Sequence, residues 1–287
     1  MKKFLLLIAL VLMSAFFYKL TSAQIEEDRK EYKAGTIKFM APLDYSPISK
    51  IYHEQSYNEY IYSGIFDTFL KDFFEGSGFK YYPLDTKDYV KNIKSAEKNH
   101  LDFIIGVYSD SSLYKDFKFI YPSLLDNPVH LVMLPSNINK IKSLKDLKSL
   151  KGAISANDQW NDYILEQFKE FKIERIDTPE EMYRQLINGE IDYVFTTYWY
   201  GISEIMKLGI KDFVAVSQKG LWNMPLFIAV SNFSPQHTYL VHYITEYLKN
   251  PENIEKIKAR ALEELEEIKT QNQGIVPDSY VLQKNNN

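Results

Sequence analysis

The sequence predicts an α/β protein of two similar lobes, each a mostly parallel sheet flanked by helices. Three observations carry that expectation. Apolar strands alternate with amphipathic helices along nearly the whole chain, which implies sheets covered on both faces. A helix–turn–strand device recurs in "EKNHLDFIIGVYSDSS" (Glu97–Ser112) and "INGEIDYVFTTYWYG" (Ile187–Gly201), with Asp102 and Asp192 in equivalent places. The chain of 287 residues is long enough for two such units.

The chain begins with "MKKFLLLIALVLMSAFFYKLTSAQ", which has a basic start at Lys2 and Lys3, an apolar run from Phe4 to Phe17, and small residues at Ser22 and Ala23. That layout reads as a secretory signal, residues 1–23, cut after Ala23; an uncleaved anchor is the alternative. Residues 24–35 form a polar arm. Thr36–Ala41 is a strand, running into a loop marked by Pro42 and Pro47. Ile65, Phe66, Phe69, Leu70, Phe73 and Phe74 fall at helical spacing, and Gly76 and Gly78 stop that helix. "FKYYPL" is a strand, "DYVKNIKSAEKNH" an amphipathic helix, and "LDFIIGV" the strand it feeds.

After "YPSLLDNPVHLVMLPS" the pattern restarts. Lys140–Lys151 is a short basic helix and turn, "GAIS" a strand, Asp158–Lys172 a helix and "IERID" a strand. "TPEEMYRQLIN" is a helix with Thr178 as its cap and Pro179 in its first turn. "IDYVFT" and "FIAVS" are strands, and helices over Pro235–Lys249 and Pro251–Lys269 close the chain. Ligands of open α/β sheets gather at the carboxyl ends of the strands. Two lobes meeting by those ends would frame a cleft.

Composition excludes several functions. With no cysteine there are no disulfides, no thiol catalysis and no cysteine-linked lipid. Losing Lys2, Lys3 and Lys19 with the leader would take the formal charge from −4 to −7. An acidic exported chain without a basic stripe is a poor nucleic-acid or anionic-membrane binder. His53, His100, His130, His237 and His242 show no metal-ligand pairing, and no phosphate loop or G-x-S-x-G appears. Neither a metal nor a cofactor is expected.

In layout and landmarks the chain resembles the solute-binding proteins of ABC importers, in the amino-acid-binding branch with the two-lobed periplasmic-binding-protein type II fold. "LDYSPI", "GIFDTFLKDFFEGSGFKYYPL", "NHLDFIIGVYSDSS" with "FKFIYPSLL", "SLKDLKSLKGAISAND", "NGEIDYVFTTY" and "PLFIAVSNFSPQ" occur in the family's order over Thr36 to about Lys269. The resemblance implies a first lobe at 36–130, a second at 137–224, and a return to the first over 227–287. Hinge crossings would lie near Leu131–Pro135 and Pro225–Val230. It also implies a monomer in the periplasm that closes over a small-molecule solute and hands it to an ABC permease.

By the same resemblance Tyr45 packs over the ligand, Tyr89 walls the pocket and Ser109 offers a hydroxyl. Asp110 and Ser111 (with Ser112) add polar groups to that loop. Asp158 stands where a helix start would receive an anion, although capping its own helix is the commoner use of such a residue. Tyr198, Trp199, Tyr200 and Trp222 offer aromatic faces, and alternation along a strand would turn only some of them inward.

Two departures matter. Twelve residues after Asp102, where the family places an Arg for the α-carboxylate, stands Tyr114, beside Lys115. Five residues after Asp192, where it places an Asp for the α-ammonium, stands Thr197. An Arg makes two parallel hydrogen bonds to a carboxylate, which neither Tyr nor Lys reproduces. The solute is therefore expected to be amino-acid-like with atypical anchors. The alternatives are a periplasmic dehydratase- or hydrolase-like enzyme using Asp110, Asp158 or Glu54, and a sensory binding protein.

Overall fold

The alternation of strands and helices resolves into two sheets with one strand order. A computed structural model describes residues 35–42, 45–54, 59–84, 93, 96, 100–138, 140–141, 143–156, 160 and 162–271. Tyr89, Asp158 and nearly all of the helix expected over 88–100 lie outside them.

The first sheet contains β1 (Thr36–Met40), β4 (Lys80–Pro83), β5 (Phe103–Tyr108), β6 (Phe117–Leu125) and β13 (Leu226–Ser231). Its order is β4-β1-β5-β13-β6, with β13 antiparallel to its two neighbours and β1 parallel to β4 and β5. The second contains β7 (Pro128–Met133), β8 (Lys151–Ser155), β9 (Lys172–Ile176), β10 (Tyr193–Thr197), β11 (Ala215–Val216) and β12 (Trp222–Asn223). Its order is β9-β8-β10-β7-β11, with β7 the reversed strand and β12 pairing with β7. Each sheet thus receives one reversed strand at the point where the chain arrives from the other sheet. Sheet membership changes between Leu125 and Pro128 and again between Asn223 and Leu226, whereas the first crossing was expected near Leu131–Pro135. Pairing of β7 with β10 over all five residues of β10 places Leu131–Met133 firmly in the second sheet.

The recurring Asp has one structural use in both places. Asp102 N–H donates to the Lys38 carbonyl, and the Lys38 N–H donates back to Asp102 Oδ2, both at 2.8 Å. Asp192 makes the same reciprocal pair with Lys151, again 2.8 Å each way. Each carboxylate accepts from the backbone N–H of the residue whose carbonyl its own N–H bonds, just before β5 and β10 begin. Asp102 also accepts from Ser234 Oγ at 2.5 Å, and its burial pushes its carboxyl above the usual carboxylate range despite these donors.

The helices cover the faces. α1 (Asp67–Phe74), α6 (His237–Lys249) and α7 (Pro251–Gln271) belong to the first sheet's side. Phe69 and Phe73 pack on Tyr247, and Lys256 pairs with Asp72 at 2.9 Å. The basic segment forms a single helical turn, α2 (Leu144–Leu147), closed by a Ser143–Asp146 capping box. α3 (Asp162–Phe168) ends before the expected Lys172, while residues 158, 159 and 161 of the expected helix lie outside the described residues, and α4 (Pro179–Asn188) has its predicted Thr178 cap. Beyond the loop marked by Pro42 and Pro47, a stretch with no expected element forms a hairpin of β2 (Lys50–Glu54) and β3 (Glu59–Ser63). Tyr and Ile, both strand formers, recur in the two strands.

β5 carries a bulge at Gly106. Phe227 faces Val107 and Ile228 faces Ile105, so Gly106 is the extra residue, at φ +75°. The bulge resets the alternation: Phe103, Ile105 and Tyr108 share one face, while Ile104 and Val107 share the other. Without it Tyr108 would point away from the helices and the functional site. A Cβ on Gly106 would sit 2.7 Å from a Phe66 ring carbon. Gly106→Ala should therefore cost roughly 1–2 kcal/mol from its positive φ and ~1–3 kcal/mol from overpacking. Urea unfolding measures this, and a loss under about 0.5 kcal/mol would contradict the account.

Candidate functional site

The site is built where the carboxyl ends of β5 and β10 meet the turn after β1. Tyr45 opens that turn, its backbone exchanging hydrogen bonds with Ser49 at 2.8 and 3.0 Å. Ser49 Oγ donates to the Pro42 carbonyl, and the Tyr62 hydroxyl, from the hairpin, donates to the Ile48 carbonyl at 2.9 Å. Burial holds the Tyr62 phenol well above its ordinary pKa, so it remains a donor. The unforeseen hairpin thus braces the turn that presents Tyr45.

The Tyr45 side chain crosses to the second sheet. Its hydroxyl lies 2.7 Å from Thr197 Oγ1 and 3.0 Å from the Tyr108 hydroxyl. Its ring stacks on Tyr200 with centroids 4.8 Å apart and planes 4° apart. Tyr45, Tyr108, Thr197 and Tyr200 are all buried.

Thr197 ends β10 and starts α5 (Tyr198–Lys207). Tyr198, Trp199 and Tyr200 are therefore helical and not along a strand, which corrects the expectation of alternating faces. Gly201 allows so abrupt a start, since a Cβ there would lie 2.2 Å from the Thr196 side chain. Threonine at a helix N-cap usually bonds its own helix. Here Thr197 makes no side-chain cap bond, and its hydroxyl faces Tyr45.

Asn127, fully buried, takes over part of the capping and ties the site to both crossings. Its Oδ1 accepts from the Trp199 N–H at 3.3 Å, and its Nδ2 donates to the Tyr108 hydroxyl at 2.9 Å. Its backbone N–H donates to Asn223 Oδ1 at 3.2 Å, and its carbonyl accepts from Met224 N–H at 3.1 Å. Asn223 Nδ2 donates to Asp126 Oδ1, and Trp199 Nε1 to the Asp126 carbonyl, at 2.8 and 2.9 Å. A polar chain therefore runs from the paired crossings through Asn127 and Tyr108 to Tyr45 and Thr197.

Of the sequence candidates, the structure brings Tyr45 and Thr197 into direct contact. Ser109 and Asp110 come directly after β5 and are half-buried. Ser109 Oγ lies 2.5 Å from the Tyr114 hydroxyl, and Asp110 Oδ1 accepts from Ser112 N–H at 2.8 Å. Ser111 begins a short 3₁₀ turn (Ser111–Leu113). Tyr198 is apart from the Tyr45 cluster, with its ring 5.3 Å from His130 and 5.0 Å from Trp199. His130 is buried, with Nδ1 at 2.8 Å from the Ser217 carbonyl, and burial lowers its pKa. Tyr114 is 54% exposed and Lys115 is exposed. Trp222 packs on Phe168 and Phe195 in the second sheet's core.

Sequence reasoning missed Tyr108, Asn127 and the part played by Tyr200. The Gly within "FIIGVY" was the available signal for Tyr108, because glycine inside a strand marks a bulge.

Comparison with solved structures decides the fold. An amino-acid ABC transporter substrate-binding protein from Streptococcus pneumoniae bound to L-arginine is 15% identical, covers 81% of this chain and 94% of its own, and superposes with a TM-score of 0.59. The fold is the two-lobed type II periplasmic-binding-protein fold. An ancestral amino-acid-binding protein, a precursor of cyclohexadienyl dehydratase, is 17% identical over 80% of this chain and 95% of its own, at TM-score 0.58. The periplasmic VFT2 domain of BvgS from Bordetella pertussis is 14% identical over 79% of this chain and 92% of its own, at 0.60. No family model and no curated protein sequence matches the chain.

Replacing Asn127 by Ala would remove the acceptor that the Trp199 N–H uses and the amide that donates to the Tyr108 hydroxyl. Each unpaired buried group costs about 1–3 kcal/mol. Asn127→Ala is expected to lose ~2 kcal/mol or more in urea unfolding, and a smaller effect than ~0.5 kcal/mol would remove Asn127 from this role.

Proposed function

We propose that this chain is a solute-binding protein that captures a small polar solute between its two lobes for an ABC importer. The observation that supports this is the buried meeting of Tyr45, from the first sheet's side, with Thr197 and Tyr200, from the second. Those groups lie at strand carboxyl ends and beside the paired crossings, where a hinge closure would assemble or part them. On this reading the lobes are residues 36–125 with 226–271, and residues 128–223. The hinge is Asp126–Asn127 with Met224–Pro225.

The solute departs from a plain α-amino acid. The two positions that anchor a zwitterion in the resembling family hold Tyr114 and Thr197. Thr197 faces Tyr45, and the polar groups identified in the cluster are neutral hydroxyls and an amide. A buried charge without a partner is heavily penalised, so such a lining favours a neutral group. Export of the first 23 residues, a periplasmic location and action as a monomer belong to the same proposal. Among the described residues no helix is long and apolar enough to cross a membrane.

The test is a thermal-shift screen of residues 24–287 against amino acids, organic anions, amines, and purine- and sugar-like compounds. A ligand at a hundred times its Kd adds about 2.7 kcal/mol, which for a chain of this size raises Tm by ~5 °C or more. At least one class is expected to do so, with a smaller radius of gyration in solution scattering. Turnover of a bound compound, or no shift from any class, would contradict the proposal.

A further inference from the structure

We propose that the cleft recognises a planar, phenol-like ring at the place where the Tyr45 side chain lies. This inference rests on the cleft being the solute site and names the chemistry it selects.

The geometry around Tyr45 describes a recognition surface for a phenol. Tyr200 supplies a flat shelf, parallel to within 4° at a centroid distance of 4.8 Å, which suits a planar ring in offset stacking. Two hydroxyls, Tyr108 at 3.0 Å and Thr197 at 2.7 Å, converge on one oxygen. The Asn127 amide donates to the Tyr108 oxygen, so the Tyr108 proton can point at that converged oxygen. The converged atom therefore receives one hydrogen bond and can give one to Thr197. A neutral hydroxyl does both. An ammonium group accepts nothing, and a carboxylate would be desolvated among buried groups. An aliphatic alcohol meets the two hydroxyls but lacks the flat face.

The shelf and the hydroxyl pair come from both sheets, with Tyr108 from the first and Thr197 and Tyr200 from the second. A ring held here bridges the two lobes as Tyr45 does, so the binding of such a ring and lobe closure are one event. An incoming ring has to displace the Tyr45 side chain, which makes Tyr45 a built-in competitor.

The test uses Tyr45→Ala and p-cresol, which is the tyrosine side chain cut at Cβ. In thermal unfolding p-cresol should raise the Tm of Tyr45→Ala by roughly 2–4 °C at concentrations well above its Kd. Toluene, without the hydroxyl, and 4-methylcyclohexanol, without the flat ring, should give less than half that shift. The wild-type chain should need at least about tenfold more p-cresol for the same effect, a factor equal to 1.4 kcal/mol of competition from Tyr45. Adding Thr197→Val to Tyr45→Ala should erase the lead of p-cresol over toluene. An absent shift, or toluene equal to p-cresol, would overturn the inference. Should Tyr45→Ala not fold alone, recovery of its near-ultraviolet circular dichroism on refolding with p-cresol supports the inference, and no recovery overturns it. If other solutes close the wild-type cleft while p-cresol fails on the variant, this inference falls and the solute-binding reading stands. If p-cresol binds the variant while neither p-cresol nor any solute class binds the wild type, the variant holds only an engineered cavity and both readings fall.

Discussion

The buried hydroxyl of Tyr45 sets the terms on which the two halves of this protein meet. Burying a hydroxyl without a partner costs about 2–7 kcal/mol, depending on the reference state. Its two named partners come from different sheets, Tyr108 from β5 and Thr197 from β10. Satisfying it fixes the register of one sheet against the other at the carboxyl ends of their strands. Much nearby structure serves that requirement: the Tyr45–Ser49 turn held by Tyr62, the bulge that turns Tyr108 inward, and the helix that begins at Tyr198 without a side-chain cap.

Asn127 connects this contact to the two crossings between the sheets. One side chain bonds Tyr108 and the first turn of α5, while the backbone of the same residue bonds Asn223 and Met224 on the second crossing. Tyr45 is thereby two hydrogen bonds away from the first crossing, through Tyr108 to Asn127. α5 also packs against α7, so the second lobe touches the first through a helical contact as well as through the cleft. The Asp102 and Asp192 pairs lie at the opposite ends of their strands, where they knit β5 to β1 and β10 to β8. The recurrent device read in the sequence is therefore a strand-end clasp, and Tyr108 and Thr197 stand at the far, carboxyl end of each clasped strand.

Most of the architecture was legible because it rests on strong, long-period patterns. The apolar runs at Phe103–Tyr108 and Tyr193–Thr197 read as buried strands, and every residue in both is buried. Thr178 and Pro179 marked a helix start, which the Thr178 hydroxyl caps as expected. Local signals failed where tertiary contacts override them. The hairpin after Pro47 went unread, because its runs of adjacent Ile and Tyr show no clear strand period. "TTYWYG" read as a strand continuing, because close packing of Gly201 on Thr196 is invisible in a single sequence. Tyr45 and Thr197 were found by position, whereas Tyr108 and Asn127 needed the bulge and the crossing geometry. Asn127 lies between two apolar strands in a stretch that reads only as a turn.

A double-mutant cycle between Tyr45→Phe and Thr197→Val tests the central claim most directly. Each substitution removes one hydroxyl and leaves the ring or the branched shape in place, and the cycle isolates the energy of the contact between the halves. The account predicts a coupling of about 1 kcal/mol or more in the unfolding free energy. Additivity within about 0.3 kcal/mol would show that the two hydroxyls do not join the lobes in solution.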